Sequence, residues 1–344
     1  MSTGSTTPDS TVRVGPLTNI PKLLHSLGFD PDQVFEDTDF KPDDLQDTGH
    51  RISYLKGSRL LAKCAHTSGC EHFGLLLGQL AGPSYLGFAG FLARTASTVR
   101  QALEALVENL DLHDGGGTCD LHIGKDYSRL IFRIHQPGTS ASAQIYDMSV
   151  VVMCEIMRAL CGSTWNASQV LLTRTKPRDI APFTRYFRTA ILFDSEGSGI
   201  TFPNSNLQLK PPMADELFYR YLEIEASAAH RMQNHEFVEM IPAVLQRALL
   251  QGKSSSCNIA DAFGIHERTL HRRLKSAGTS FRQVLDQARE SLSTQMLENS
   301  SLPIFDIATS VGYADSSGFI RAFRRWTGQS PASWRKQRRL KQTT

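Results

Sequence analysis

In the last third of the chain, apolar residues recur at helical spacing and are interrupted by glycines. Leu270 and Leu274, and again Phe319 and Phe323, stand four apart, so each pair shares one face of a helix. From Phe237 onward the pattern is almost wholly helical, with turns expected at Gly252, Gly264, Gly278, Gly312 and Gly328. The earlier residues read differently. Helices are predicted over residues 17–27 and 53–67, and β-formers cluster at 118–123 and 130–135 around a polar stretch, 124–129, which predicts a hairpin. A long helix over 143–161 and strands near 170–173 and 199–202 complete a mixed region. Pro211 and Pro212 mark a boundary, because proline opens a helix but breaks its interior. Beyond them Leu217, Tyr221, Ile224 and Ala228, at helical spacing, predict a connecting helix. The expected fold is an α+β N-terminal domain followed by an all-α C-terminal domain with two helix-turn-helix units joined by a long helix. The expected boundaries are a disordered tail over 1–16, the α+β domain over 17–212, the connecting helix over 213–235 and the helical domain over 236–340.

The two C-terminal units share a grammar. Residues 259–274 give a short helix, a glycine turn at Gly264 and a second helix; residues 304–326 repeat this around Gly312. Leu270 and Phe319 are equivalent positions, and Asp315 is placed to cap the later helix. One such pattern is weak evidence of function, but two in register, each followed by basic residues, are strong. Between them residues 280–299 predict a helix roughly 30 Å long at about 1.5 Å per residue. A turn of B-DNA is about 34 Å, so such a spacer could set two helices into successive major-groove segments.

Length and charge sharpen the division. At 344 residues the chain exceeds the roughly 250 at which single cores stop growing. No apolar run approaches the roughly 20 residues of a membrane-spanning helix, so no membrane partner is expected. The net charge of +3 is unevenly spread: residues 236–344 hold 16 Lys and Arg against 9 Asp and Glu, a net of +7, which leaves −4 for residues 1–235. A basic domain suits a polyanion, although charge alone leaves DNA, RNA and anionic lipid open. The cysteines at 64, 70, 119, 154, 161 and 257 are scattered, which fits reduced thiols and a cytoplasmic protein. Cys64, His66, Cys70 and His72 lie close in sequence but match no zinc spacing; they are taken as structural cysteines and surface histidines. No glycine-rich phosphate loop, metalloprotease helix or nucleophile elbow occurs, so neither an enzyme nor a cofactor is expected.

Ile307-Ala308, Gly312-Tyr313, Phe319, Arg321, Phe323-Arg324, Trp326, Gly328, Ser330-Pro331 and Trp334-Arg335 resemble the second helix-turn-helix and trailing signature of the AraC/XylS family of transcription regulators. The first unit is looser, with His266 where the family usually has a serine cap. The resemblance implies base contacts from Arg268, His271 and Arg272 in the first unit and from Ser316, Ser317 and Arg321 in the second. Arginine can bond guanine O6 and N7 together, which makes Arg272 and Arg321 the preferred readers. Lys275, Arg324 and Arg325 are assigned to phosphates. The basic run Arg335, Lys336, Arg338, Arg339 and Lys341 reads as a solvated, partly frayed tail.

Residues 17–212 resemble the N-terminal domain of the subgroup with an arabinose-binding-like domain, the ornithine/arginine catabolism regulator type. Asp37 to Asp39, Phe73-Gly74-Leu75, Leu77-Gly78, Leu86-Gly87-Phe88, the stretch around Ala102 to Leu106, Phe193, Phe202 and the exit from Leu209 to Pro212 carry the match. It implies a small-molecule effector and a homodimer, but points to no effector-binding residue. The expected function is sequence-specific binding of double-stranded promoter or operator DNA under effector control, with RNA polymerase as a partner if the protein activates. Two alternatives stand beside it: a DNA-repair methyl-acceptor with an AraC-like module, which needs a four-cysteine cluster, and an architectural DNA binder without a ligand.

Overall fold

The computed structural model describes residues 10–36, 38, 40, 42–140, 142–263, 265 and 267–342. The chain divides into two compact units, Met1–Ala229 and His230–Thr344, each with its own apolar core.

The first unit opens with β1 (Thr11–Arg13), followed by helices α1 (Ile20–Ser26) and α2 (Pro31–Phe35) and by β2 (Arg51–Ser53). β1 pairs antiparallel with β2, Thr11 facing Ser53, and Val14 beyond it is fully buried. This corrects the expectation of a disordered tail as far as residue 16: from residue 10 the backbone is built into the unit, while residues 1–9 lie outside the described part. Four helices follow: α3 (Tyr54–Ser68), α4 (Phe73–Gln79), α5 (Phe88–Thr95) and α6 (Val99–Asn109). Ser53 caps α3 and Thr98 caps α6, each accepting a backbone N–H of the first turn.

A five-stranded sheet comes next, built from β3 (Gly117–Ile123), β4 (Tyr127–Ile134), β5 (Gln169–Leu171), β6 (Ala190–Leu192) and β7 (Ser198–Pro203), with α7 (Ser142–Cys161) and α8 (Ala181–Phe187) in the connections. The strand order is β3-β4-β7-β5-β6, antiparallel except for the β5–β6 pair. The predicted hairpin is present with a shorter loop, because Tyr127 and Ser128 already pair across the sheet.

α7 is the centre of the unit, packing on α4 and on the sheet. The glycines of α4 explain the closeness: a Cβ on Gly74 would stand 2.0 Å from the Gln144 carbonyl oxygen, and one on Gly78 2.8 Å from the Val151 Cβ. The same α7 carries Asp147, fully buried and ion-paired with Arg174, whose guanidinium lies 5.2 Å from the centre of the Phe183 ring. Burial pushes the Asp147 carboxyl up to about 7 against the pull of Arg174.

α9 (Glu216–Leu250) is one continuous helix containing the boundary between the units. Its first turns bury Tyr219 and Leu222 in the first core. The positions whose spacing predicted the connecting helix include Leu217, Tyr221 and Ile224, which lie on its exposed face, at 81%, 57% and 65%. Farther along, Phe237, Ile241, Leu245 and Leu249, four apart, enter the second core. The remaining helices are α10 (Ser256–Ala262), α11 (Glu267–Ser276), α12 (Phe281–Asn299), α13 (Ile304–Ser310), α14 (Ser316–Thr327) and α15 (Pro331–Gln342). The mixed first unit and helical second unit agree with the fold class expected from sequence. Among the described residues no helix is long and apolar enough to cross a membrane.

Candidate nucleic-acid interface

The turns of the two helix-turn-helix units, α10–α11 and α13–α14, share one backbone hydrogen bond. At the end of α13, Gly312 takes φ +81° and the Tyr313 N–H donates back to the Ala308 carbonyl at 2.9 Å. At the end of α10, the Ile265 N–H donates to the Ala260 carbonyl at 3.0 Å. At the α13 turn the left-handed Gly312 precedes this six-to-one bond, a combination that ends a helix and turns the chain sharply. Gly264 and His266, singled out in the sequence, lie outside the described residues.

Each turn delivers a helix with a buried and an exposed face. Leu270 and Leu274 of α11 and Phe319 and Phe323 of α14 are fully buried. On α11, Arg268, His271 and Lys275 are exposed and Arg272 is partly so; on α14, Ser317, Arg321, Arg324 and Arg325 are exposed and Ser316 is partly so. The helix period accounts for most of this, because a residue one or two places from a buried anchor is turned about 100° or 200° away from it. Arg272 and Arg321 each stand two residues past the first anchor of their helix, Leu270 and Phe319.

The two surfaces differ in their local ties. In α11, Glu267 accepts a short hydrogen bond from the Ser256 hydroxyl, and its carboxylate lies 3.7 Å from His271 Nε2. In α14, Asp315 caps the helix, its Oδ1 accepting the Gly318 N–H at 2.7 Å. Arg321 and Arg324 have no side-chain hydrogen-bond or ion-pair partner among the described residues, whereas Arg325 pairs with Asp286 of α12 at 3.0 Å.

α12 ties the second unit in place with residues that the sequence reading passed over. Ser280 caps it, and Arg289 donates to the Val311 carbonyl at 3.0 Å while its guanidinium lies 4.9 Å from the centre of the Tyr313 ring. Asp286 and Arg289, three apart, share a face of α12, and that spacing was the available signal. Arg273, also passed over, lies 5.2 Å over the Phe237 ring. α15 corrects the frayed-tail reading at its start: Trp334 packs on Phe323 and donates to Glu298, and Arg335 donates to the Leu302 carbonyl at 2.7 Å. The side chains of Arg338, Arg339 and Lys341 lie outside the described residues.

Elsewhere, Cys64 and Cys70 are buried, and burial pushes the Cys64 thiol up to about 12, as expected of core cysteines.

Family models match both units. Residues 28–211 match the arabinose-binding domain of AraC transcription regulators, N-terminal, and residues 259–337 match a helix-turn-helix domain. The ornithine utilization regulator of Pseudomonas aeruginosa is 24% identical over 91% of this chain and 93% of its own length. The HTH-type transcriptional regulator VirS of Mycobacterium tuberculosis is 25% identical over 95% of this chain and 96% of its own. The crystal structure of the transcriptional regulator CdpR from Pseudomonas aeruginosa aligns over 93% of this chain and 97% of that one, with 23% identity and a TM-score of 0.47. Two exposed recognition helices on a basic unit, behind a matched N-terminal domain that spans more than half of the chain, assign this protein to the AraC family of DNA-binding transcription regulators, in the group with an arabinose-binding-type N-terminal domain.

Proposed function

We propose that this regulator reads double-stranded promoter or operator DNA with Arg268, His271 and Arg272 of α11 and with Ser316, Ser317 and Arg321 of α14, while Lys275, Arg324 and Arg325 contact phosphates. One observation carries the reading: Arg272 and Arg321 occupy corresponding positions, two residues past the first buried anchor, on two helices whose opposite faces are buried. A guanidinium held this way can meet the O6 and N7 of a guanine edge-on. The net charge of +7 on residues 236–344 supplies the sequence-independent part of binding.

In this reading the N-terminal unit senses a small-molecule effector and biases operator binding, in the cytoplasm and without catalysis. The exposed stripe of Leu217, Tyr221 and Ile224 on α9 supports pairing with a second copy of the chain, since positions i, i+4 and i+7 form one apolar face. RNA polymerase would be a partner if the regulator activates.

Selection of bound duplexes from a random pool with the full chain tests the proposal. The expected result is an enriched motif with two conserved segments. Retention of DNA with steep salt dependence but no enriched sequence would leave only an architectural binder and overturn base readout.

A further inference from the structure

The first unit holds a partly open cavity of about 100 Å³ between β1, α3, the end of α6, the β3–β4 hairpin and α7. Most of its wall is hydrocarbon, from residues such as Leu61, Leu106, Phe132, Ile145, Val152 and Ile156. One side is different. Arg13, Tyr54, His113 and Asp114 line it together, drawn there because the Arg13 N–H donates to the His113 carbonyl and Val12 bridges to Asp114.

Three polar atoms on that side are buried and have no hydrogen-bond partner among the described residues: the Tyr54 hydroxyl, His113 Nδ1 and Arg13 Nε. Tyr54 and His113 are 4% and 7% exposed. Buried polar groups are normally satisfied, so an unpaired cluster at the edge of an apolar cavity has the character of a ligand site. Asp114 is already engaged, its Oδ1 accepting the Gly116 and Gly117 N–H groups at 2.8 and 2.9 Å. Burial, then Arg13 and Arg51, lower the His113 pKa to about 3, so this imidazole is neutral.

The available groups select the head of the ligand. Tyr54 O–H and Arg13 Nε–H are donors, and one of them carries a formal charge, so the complementary group is an anionic acceptor. An ammonium head would face Arg13 and find Asp114 held by backbone. The size limits the rest: an apolar cavity of roughly 150 Å³ admits the six carbons of benzene, so one of about 100 Å³ suits a hydrocarbon body of about four or five carbons.

We infer that this cavity is the effector site and that it takes a short apolar carboxylic acid, with the carboxylate on Tyr54 and Arg13 and the hydrocarbon against α7. The inference rests on the effector-sensing reading above and names the ligand class for it.

Calorimetric titration of the full chain with hexanoate, with hexylamine as the charge-reversed control, tests it. Hexanoate is expected to bind and to raise Tm, and hexylamine to bind at least tenfold more weakly. Tyr54→Phe removes only the unpaired hydroxyl, so it is expected to fold with an unchanged or higher Tm and to weaken hexanoate at least tenfold. Val152→Phe, which fills the cavity, should abolish binding. Equal binding of hexylamine, undiminished hexanoate affinity in Tyr54→Phe, or no hexanoate binding at all overturns the assignment. Affinity for the selected duplex is measured in the same samples. Hexanoate bound with no change in DNA affinity keeps the cavity assignment and sinks effector control; DNA affinity that responds to a cationic amino acid but not to hexanoate does the reverse.

Discussion

The two helix-turn-helix units solve one problem with different materials. In the first, aliphatic anchors hold the recognition helix: Leu270 and Leu274 are buried with Ile259, and Phe263 meets Phe237 with ring centres 4.7 Å apart. In the second, aromatic rings do so, with Phe319, Phe323, Tyr313, Trp326 and Trp334 in mutual contact at centroid distances of 5.6 to 6.5 Å. The second helix also has a carboxylate cap and is braced from α12 by Arg289 and Asp286. Equal topology is thus reached by unequal packing. Arg321 stands on a helix capped by Asp315 over a ring cluster, and Arg272 on one packed through leucines.

The largest test acts on the anchors. Phe323 touches Phe319, Trp326 and Trp334, so Phe323→Ala is expected to cost about 3 to 5 kcal/mol, as truncation of a buried aromatic ring does. Leu274→Ala, at the equivalent place in the first unit, should cost about 2 to 4 kcal/mol because it removes less volume. Denaturant titration of the two variants reads the difference. An equal or larger loss from Leu274→Ala would break the contrast.

Reading comes next in size. Arg321→Ala is expected to lose about 1 to 3 kcal/mol of discrimination between the selected duplex and random DNA while the fold is kept. Arg272→Ala should lose less if the rings and the α12 contacts set α14 more firmly than the leucines set α11. Competition binding at fixed salt gives both numbers. Unchanged preference in Arg321→Ala would remove it from the base readers.

The anchors and the repeat were legible from spacing, because burial at four-residue intervals is set by the helix itself. The first unit's mixed α and β character was legible for the same reason: the hairpin, α7 and β7 have strong local patterns. What escaped the sequence was fixed by distant partners. β1 is three residues long and exists because Arg51 to Ser53 pair with it. The stripe Leu217, Tyr221 and Ile224 has helical spacing, but spacing alone does not say which face meets the core, and the chain buries Tyr219 and Leu222 instead. At the interface, the exposure of Arg268, His271 and Arg321 follows from their offset to the anchors. The engagement of Arg325 by Asp286, 39 residues away, does not.

A smaller effect isolates the cap. Asp315→Ala removes the acceptor of the Gly318 N–H and should cost about 1 kcal/mol. Asp315→Asn, which keeps an acceptor, should restore most of it. A cap that also sets the reader predicts that Asp315→Ala relaxes specificity in the same direction as Arg321→Ala, though by less. Full specificity with lowered stability would show that the cap stabilises α14 without orienting Arg321.

The smallest effect concerns Arg325, which cannot hold Asp286 and a phosphate equally well. Its side chain is 58% exposed, so the pair contributes only about 0.2 to 1 kcal/mol to stability and is weakened by salt. If Arg325 leaves Asp286 to meet the backbone of DNA, Arg325→Ala should weaken binding to all duplexes alike and lower the salt slope by about one. Asp286→Ala, by releasing Arg325, should then tighten binding slightly in the same uniform way. Weakening by Asp286→Ala would instead mean that the pair acts as a brace for α14, and the second unit would owe its setting to α12 as much as to its own rings.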